Sequence, residues 1–234
     1  MSSKSQEQAP AAPTPKDKKF NGWDDTPSYR RNIFQKIAAK TRGIVTPGNV
    51  TTVAANAVAM TGIVEAATGH YAEGAALFAA GRSGDWLDGI IARASKTQSW
   101  IGEGLDVMGD KVQVFLGLGM LSIYGSYPLE ASIPKLASQA TIVGVSAYAT
   151  KQGAELHPGM SGKIGLGATG VSMVGFEAAN AFSEYPALAD FAEGTTIASY
   201  ALTAGSIAAG TKAAWDYWQE GRAAAANQPQ IIEQ

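Results

Sequence analysis

The sequence predicts an all-α, polytopic membrane protein, with six transmembrane helices preceded by one amphipathic helix at the bilayer interface. Three observations carry that prediction. Six stretches hold few charges, at 46–68, 73–94, 101–124, 132–151, 161–182 and 194–215, and each is about 20 residues, the length that spans a bilayer core. The turns between them alternate in charge. A short basic segment with apolar residues at helical spacing precedes the first stretch.

Residues 1–27 carry Ser, Gln, Pro, Lys and Asp with almost no large apolar side chain, the composition of a disordered tail. Residues 28–43 differ. Tyr29, Ile33, Phe34 and Ile37 repeat at helical spacing, and Arg30, Arg31, Lys36 and Lys40 take the other faces. Such a helix lies on an anionic membrane surface. The stretch "TPGNVTT", Thr46–Thr52, starts the first span with Pro47 and Asn49. Residues 44–216 form the six-helix domain, and 217–234 a polar C-terminal tail. The spans contain much Ala, Gly, Ser and Thr in place of Leu, which lets membrane helices approach closely. Pro128, Pro134 and Pro186 stand where outer turns are expected. The aromatic run Trp215–Trp218 stands at the inner end of the sixth span, where an interfacial belt belongs. Glu65 and Glu177 fall within spans and are expected to face the bundle interior.

Charge placement separates this reading from a soluble helical bundle. Nine of the 18 Lys and Arg residues lie in 1–42. With that end inside, the inner connections hold Arg93, Lys96, Lys151, Lys163, Lys212 and Arg222. The outer ones hold His70, Glu73, Glu130, Lys135, Glu184, Asp190 and Glu193. This is the positive-inside asymmetry, which a soluble bundle has no reason to show. It places the chain in the plasma membrane as a multi-pass protein with a cytoplasmic N-terminus. A net charge of −2 gives no reason to expect nucleic acid as a partner. The absence of cysteine excludes disulfides and thiolate metal sites.

Four aspartates interrupt the apolar pattern between Gly81 and Asp110. Asp85 and Asp88 share one face of a helix, and Asp106 and Asp110 share a face of the next. The turn between the two helices is short, so they are antiparallel neighbours. Carboxylates held close in a membrane repel one another and are costly to bury. A divalent cation removes that cost, and Mg²⁺ favours hard oxygen ligands. Gly89, Ala92 and Gly102 leave room for a bulky ligand or a close helix approach. The full spacing is D-x2-D-G-x2-A-R-x8-G-x3-D-x3-D, from Asp85 through Asp88, Gly89, Ala92, Arg93, Gly102 and Asp106 to Asp110. At typical residue frequencies these eight fixed positions match a given start with a chance on the order of 10⁻¹⁰.

That spacing resembles the signature of the CDP-alcohol phosphotransferases at every position. "TPGNVTT" is similar to the family's entry to its first membrane helix, with Pro47 shifted by one residue. The resemblance implies a membrane enzyme of phospholipid synthesis. It would move a phosphatidyl group from CDP-diacylglycerol to a small alcohol acceptor and release CMP. Asp85, Asp88 and Asp106 would hold Mg²⁺ (or Mn²⁺), and Asp110 would be the catalytic base. Gly89, Ala92, Arg93, Gly102, Asn49 and Thr52 would bind the CDP-lipid, with Arg93 offering a fork to phosphate. The resemblance also implies a homodimer among membrane lipids.

"LDVMGDK" resembles the corresponding segment of phosphatidylglycerophosphate synthases, with Val107 and Gly109 departing from it. "SGKIGLGATG" resembles that group's fifth-helix start, where Gly162 and Lys163 match and Gly165 and Leu166 do not. Lys111, Lys151 and Lys163 would then attract an acceptor phosphate, so glycerol 3-phosphate is the first expectation and inositol phosphate the second. Each of these lysines also reads as a membrane-interface anchor. Other classes compete: a divalent-cation carrier, a soluble prenyl-diphosphate enzyme and an inactive scaffold. The carrier leaves the fixed Gly, Ala and Arg positions unexplained.

Overall fold

The computed structural model describes residues 21, 23, 26–154, 156 and 159–227, and within its helices the backbone but not the side chains of Asp85, Glu103 and Val107. Among the described residues there are helices and no strand. A short helix, α1 (Ile33–Lys40), precedes α2 (Pro47–Ala67) and α3 (Tyr71–Ser95). Next come α4 (Trp100–Val112), a π-helical turn (Gln113–Gly117) and α5 (Leu118–Ile123), which together fill the third expected span. The chain continues through α6 (Leu129–Lys151), α7 (Met160–Ser183) and α8 (Ala189–Ala226).

The helix starts follow local chemistry. Asn32 and Gln35 form a capping box on α1, their side chains and backbone amides bonding reciprocally at 2.8 and 3.0 Å. Thr46 caps α2 by accepting from the Asn49 amide at 3.0 Å, with Pro47 in the first turn. Ser99 caps α4 by accepting from the Gly102 amide at 3.1 Å. Lys96, at φ +52°, ends α3 in the left-handed conformation and turns the chain back toward α4.

α2 and α3 pack backbone to backbone. A Cβ on Gly62 would lie 2.5 Å from the Phe78 nitrogen, and one on Gly81 2.5 Å from the Ala59 nitrogen. The apolar core lies beside this contact. Ile63, Phe78, Leu118, Leu121, Tyr127, Met173 and Phe176 are buried together. Tyr127 meets Phe176 edge-on at 4.6 Å, and Phe176 meets Tyr200 at 5.0 Å. The Tyr127 hydroxyl lies 2.8 Å from that of Thr203, so the buried ring keeps a polar partner.

Polar residues fill much of the interior while apolar ones face out. Thr169, Ser172, Ser199, Thr203 and Ser206 are buried, whereas Val50, Val53, Ile123, Ile133, Val171 and Ile197 are exposed. Among the described residues one helix, Pro47–Ala67, is long and apolar enough by itself to cross a membrane. Glu177 is fully buried on α7, and among the described residues neither of its carboxylate oxygens has a hydrogen-bond partner. Glu65 instead pairs with His70 at 2.8 Å where α2 ends.

Several expectations change. The expected disordered tail lies outside the described residues at 1–20, 22, 24 and 25. Trp23, within the same stretch, is buried against Gly43, where a Cβ would lie 2.9 Å from the indole. Lys135, expected in an outer turn, is fully buried on α6, its Nζ donating to the Ser206 carbonyl at 3.5 Å. Pro134 lies inside the same helix, because α6 starts directly after Pro128 and Pro134 falls only in its second turn. α8 continues through Ala226, since "RAAAA" offers good helix formers and no breaker.

Candidate active site

The start of α2, the end of α3 and the start of α4 enclose a cleft of about 310 Å³. Gly48, Asn49 and Thr52 come from α2, Asp88, Gly89, Ala92 and Arg93 from α3, and Gly102 and Asp106 from α4. Thr97, Gln98 and Ser99, in the turn after α3, close one side. All six residues expected to bind the CDP-lipid therefore line one hollow, together with two of the expected metal ligands.

The cleft exists because small residues bring three helices together. A Cβ on Gly48 would lie 2.9 Å from that of Ala92, so α2 and α3 cross in contact there. Gly102 gives its space to the Asn49 side-chain oxygen. The Asn49 amide nitrogen donates to the carbonyls of Gly43 at 2.9 Å and Ile44 at 3.0 Å. Asn49 thus shapes the wall and spends both donors on the loop before α2. The Arg93 guanidinium folds over Gly89, 3.3 Å from where a Cβ would stand.

Asp88 is 8% exposed and accepts a hydrogen bond from the Thr52 hydroxyl at Oδ2. Asp106 faces the same cleft from α4 and is exposed. Asp85 lies on α3 one turn before Asp88; its side chain lies outside the described residues. Among the described residues no three His, Cys, Asp or Glu side chains group to hold a metal ion. The donor set nevertheless fits a hard divalent cation, because Asp88 and Asp106 bring carboxylate oxygens from two helices to one polar hollow.

Asp110 stands apart from that cleft. It lines a second cavity of about 10 Å³ with Phe78, Arg82, Gln113, Leu166, Thr169 and Gly170. Arg82 Nη1 donates to Asp110 Oδ1 at 2.6 Å and to Gln113 Oε1 at 3.1 Å. Gln113 Nε2 in turn donates to Asn56 Oδ1 at 2.5 Å, and Asn56 Nδ2 to the Thr52 carbonyl at 2.8 Å. A polar chain therefore runs from Asp110 back to the residue that bonds Asp88.

The expected acceptor lysines scatter. Lys111 Nζ donates to Gln139 Oε1 on α6 at 3.5 Å. Lys151 ends α6 and Lys163 lies in the first turn of α7, both exposed and outside both hollows. Arg82, Gln113 and Asn56 were not singled out from sequence. A signal existed: Arg82 stands midway along the second expected span, where a charge needs a partner.

A family model described as CDP-alcohol phosphatidyltransferase matches residues 44–206, more than half of the chain and the whole of both hollows. The chain belongs to this family. Comparisons with curated proteins and with solved structures gave no match. CDP-alcohol phosphatidyltransferases are phosphotransferases that move a phosphatidyl group from a CDP-alcohol to an alcohol, and this chain is such an enzyme. The family is membrane-associated and generally depends on a divalent metal.

Proposed function

We propose that the protein transfers the phosphatidyl group of CDP-diacylglycerol to glycerol 3-phosphate and releases CMP. The observation that carries this reading is the cleft of α2, α3 and α4, which gathers Asn49, Thr52, Asp88, Gly89, Ala92, Arg93, Gly102 and Asp106. The pyrophosphate of the donor is anionic and needs cationic company there. Arg93 supplies a guanidinium fork. Asp85, Asp88 and Asp106 would hold Mg²⁺ or Mn²⁺, which when bound supplies charge neutralisation for the pyrophosphate and the departing CMP.

Asp110 accepts the proton of the acceptor hydroxyl. The acceptor oxygen forms a bond to the lipid-side phosphorus, and the bond from that phosphorus to the CMP oxygen breaks. Thr52 holds the Asp88 carboxylate by its hydrogen bond, so one metal-facing group is set before substrate arrives. Lys111 is half-buried within reach of Gln139 and attracts an acceptor phosphate. Lys151 and Lys163 would act at longer range, from the inner surface. Inositol phosphate is the second acceptor on the same grounds.

The six helices from α2 to α8 would each cross the plasma membrane, with α4, the π turn and α5 as one span. Buried Ser and Thr with exposed Val and Ile support that reading. Tyr29, just before α1, and Ile33 and Phe34 on it are 77%, 67% and 49% exposed, while Gln35 is buried on the turn after α3. That face supports an interfacial helix on the cytoplasmic side. A homodimer surrounded by membrane lipids completes the arrangement.

The test is CMP release by purified protein with CDP-diacylglycerol, Mg²⁺ or Mn²⁺ and a panel of acceptors. Release that needs both metal and glycerol 3-phosphate is expected, and a chelator should abolish it. Release with unphosphorylated inositol or serine alone would overturn the acceptor. A folded protein that carries a divalent cation but releases no CMP with any acceptor would favour the carrier or scaffold reading.

A further inference from the structure

We infer that Arg82 is a positioning residue for the proton acceptor, holding Asp110 through Oδ1 and leaving Oδ2 to take the proton. The inference rests on the reading of Asp110 as base. Arg82 lies on α3 and Asp110 on α4, and their ion pair at 2.6 Å is mostly buried, with side chains 23% and 18% exposed. An aspartate on a helix has several rotamers open to it. A short, charge-assisted bond from a neighbouring helix selects one of them.

The guanidinium is itself fixed. Its Nη1 also donates to Gln113 Oε1 at 3.1 Å, and Gln113 is 3% exposed. Asn56 on α2 accepts from Gln113 at 2.5 Å. Gly109 makes room for that amide, since a Cβ there would lie 2.6 Å from Asn56 Oδ1. Gln113 also opens the π turn of the third span, and such turns re-aim side chains and often mark functional sites. Three helices thus converge on the orientation of one carboxylate.

A merely structural ion pair is the competing account. A partly buried pair gives little net stability once desolvation is counted, and a cation within a span is costly to keep. Positioning supplies a reason for it. Misplacing a reacting group by about 1 Å costs on the order of 100-fold in rate.

The experiment compares wild type, Arg82→Gln, Arg82→Lys and Asp110→Asn in steady-state CMP release and in equilibrium binding of CMP with Mg²⁺. Arg82→Gln should lower kcat by about 10- to 100-fold. Its KM for CDP-diacylglycerol and its CMP affinity should stay within about twofold of wild type, because the donor cleft is untouched. Arg82→Lys should recover part of kcat. Arg82→Gln with wild-type kcat, while Asp110→Asn is inactive, overturns the positioning role and leaves the base standing. A kcat loss matched by equal losses in CMP affinity also overturns it, since the pair would then only hold the fold. An active Asp110→Asn removes the base and this inference with it. If Arg82→Gln does not fold, Arg82→Lys decides: reduced kcat at unchanged CMP affinity supports the role, and wild-type kcat overturns it.

Discussion

The two hollows differ by more than an order of magnitude in volume. The cleft of α2, α3 and α4 holds about 310 Å³, and the cavity at Asp110 about 10 Å³, room for roughly one water. The first is lined by Asn, Thr, Asp, Arg and Gly; the second is closed by Phe78, Leu166 and Met173. On the proposed reading of the site, the donor side is formed in advance and the acceptor side is not. An acceptor hydroxyl reaching Asp110 must part α7 from α3 or displace the contacts between them. Gly170, on α7, is the least obstructive residue in that wall, its Cβ position lying 3.8 Å from Arg82 Nε.

Four results would break or sharpen this comparison. The largest effects belong to the carboxylates. Asp88→Asn should cost about 1,000-fold or more in CMP release through the donor side, and Asp110→Asn about 100- to 10,000-fold through the base alone. Rate measurements at saturating CDP-diacylglycerol check both, and full recovery of either variant at high donor concentration would place that residue in donor binding alone.

Next come the walls. Gly102→Ala pushes against Asn49, so the KM for CDP-diacylglycerol should rise about 10-fold with the acceptor KM unchanged. Gly170→Leu should do the reverse, raising the acceptor KM by a similar factor. Equal effects of both variants on both substrates would mean that the hollows act as one.

A smaller effect concerns stability rather than rate. The buried Glu177 carboxylate has no hydrogen-bond partner among the described residues, so Glu177→Met, of similar volume, should keep or raise the thermal midpoint by a few degrees. A fall in the midpoint would show that this carboxylate has a partner when the protein sits in lipid. The smallest effects are expected at Lys151→Ala and Lys163→Ala. Both side chains are exposed and outside the hollows, so acceptor KM should change by no more than about twofold, as for other exposed charges. A tenfold rise would show that the acceptor phosphate is drawn in from the inner surface.

Much of the lining of the larger cleft was legible in the sequence, because its residues repeat at helical spacing on two helices joined by a short turn. Asp88, Gly89, Ala92 and Arg93 lie within two turns of one helix, so local geometry alone brings them together. The third expected span hid more. The π turn at Gln113–Gly117 breaks the helical period, so no spacing rule places Gln113 beside Arg82. Arg82, the partner of Asp110, lies on α3, and Asn56, which the network reaches through Gln113, lies on α2; contacts at such sequence separation follow from packing. Lys135 misled for another reason. Its neighbour Pro134 reads as a helix boundary, yet α6 already starts after Pro128 and carries Pro134 in its second turn. Trp23 shows the same limit at the tail: composition describes the stretch, and one ring packs on Gly43.

The measurement that tests the central claim most directly is calorimetric titration of CMP into the detergent-solubilised protein with Mg²⁺ and no acceptor. A donor side formed in advance predicts saturable binding by wild type and by Asp110→Asn alike, with binding lost in Asp88→Asn. Binding lost equally in Asp110→Asn, or unaffected in Asp88→Asn, would contradict the division of the site into a ready donor cleft and a closed acceptor side.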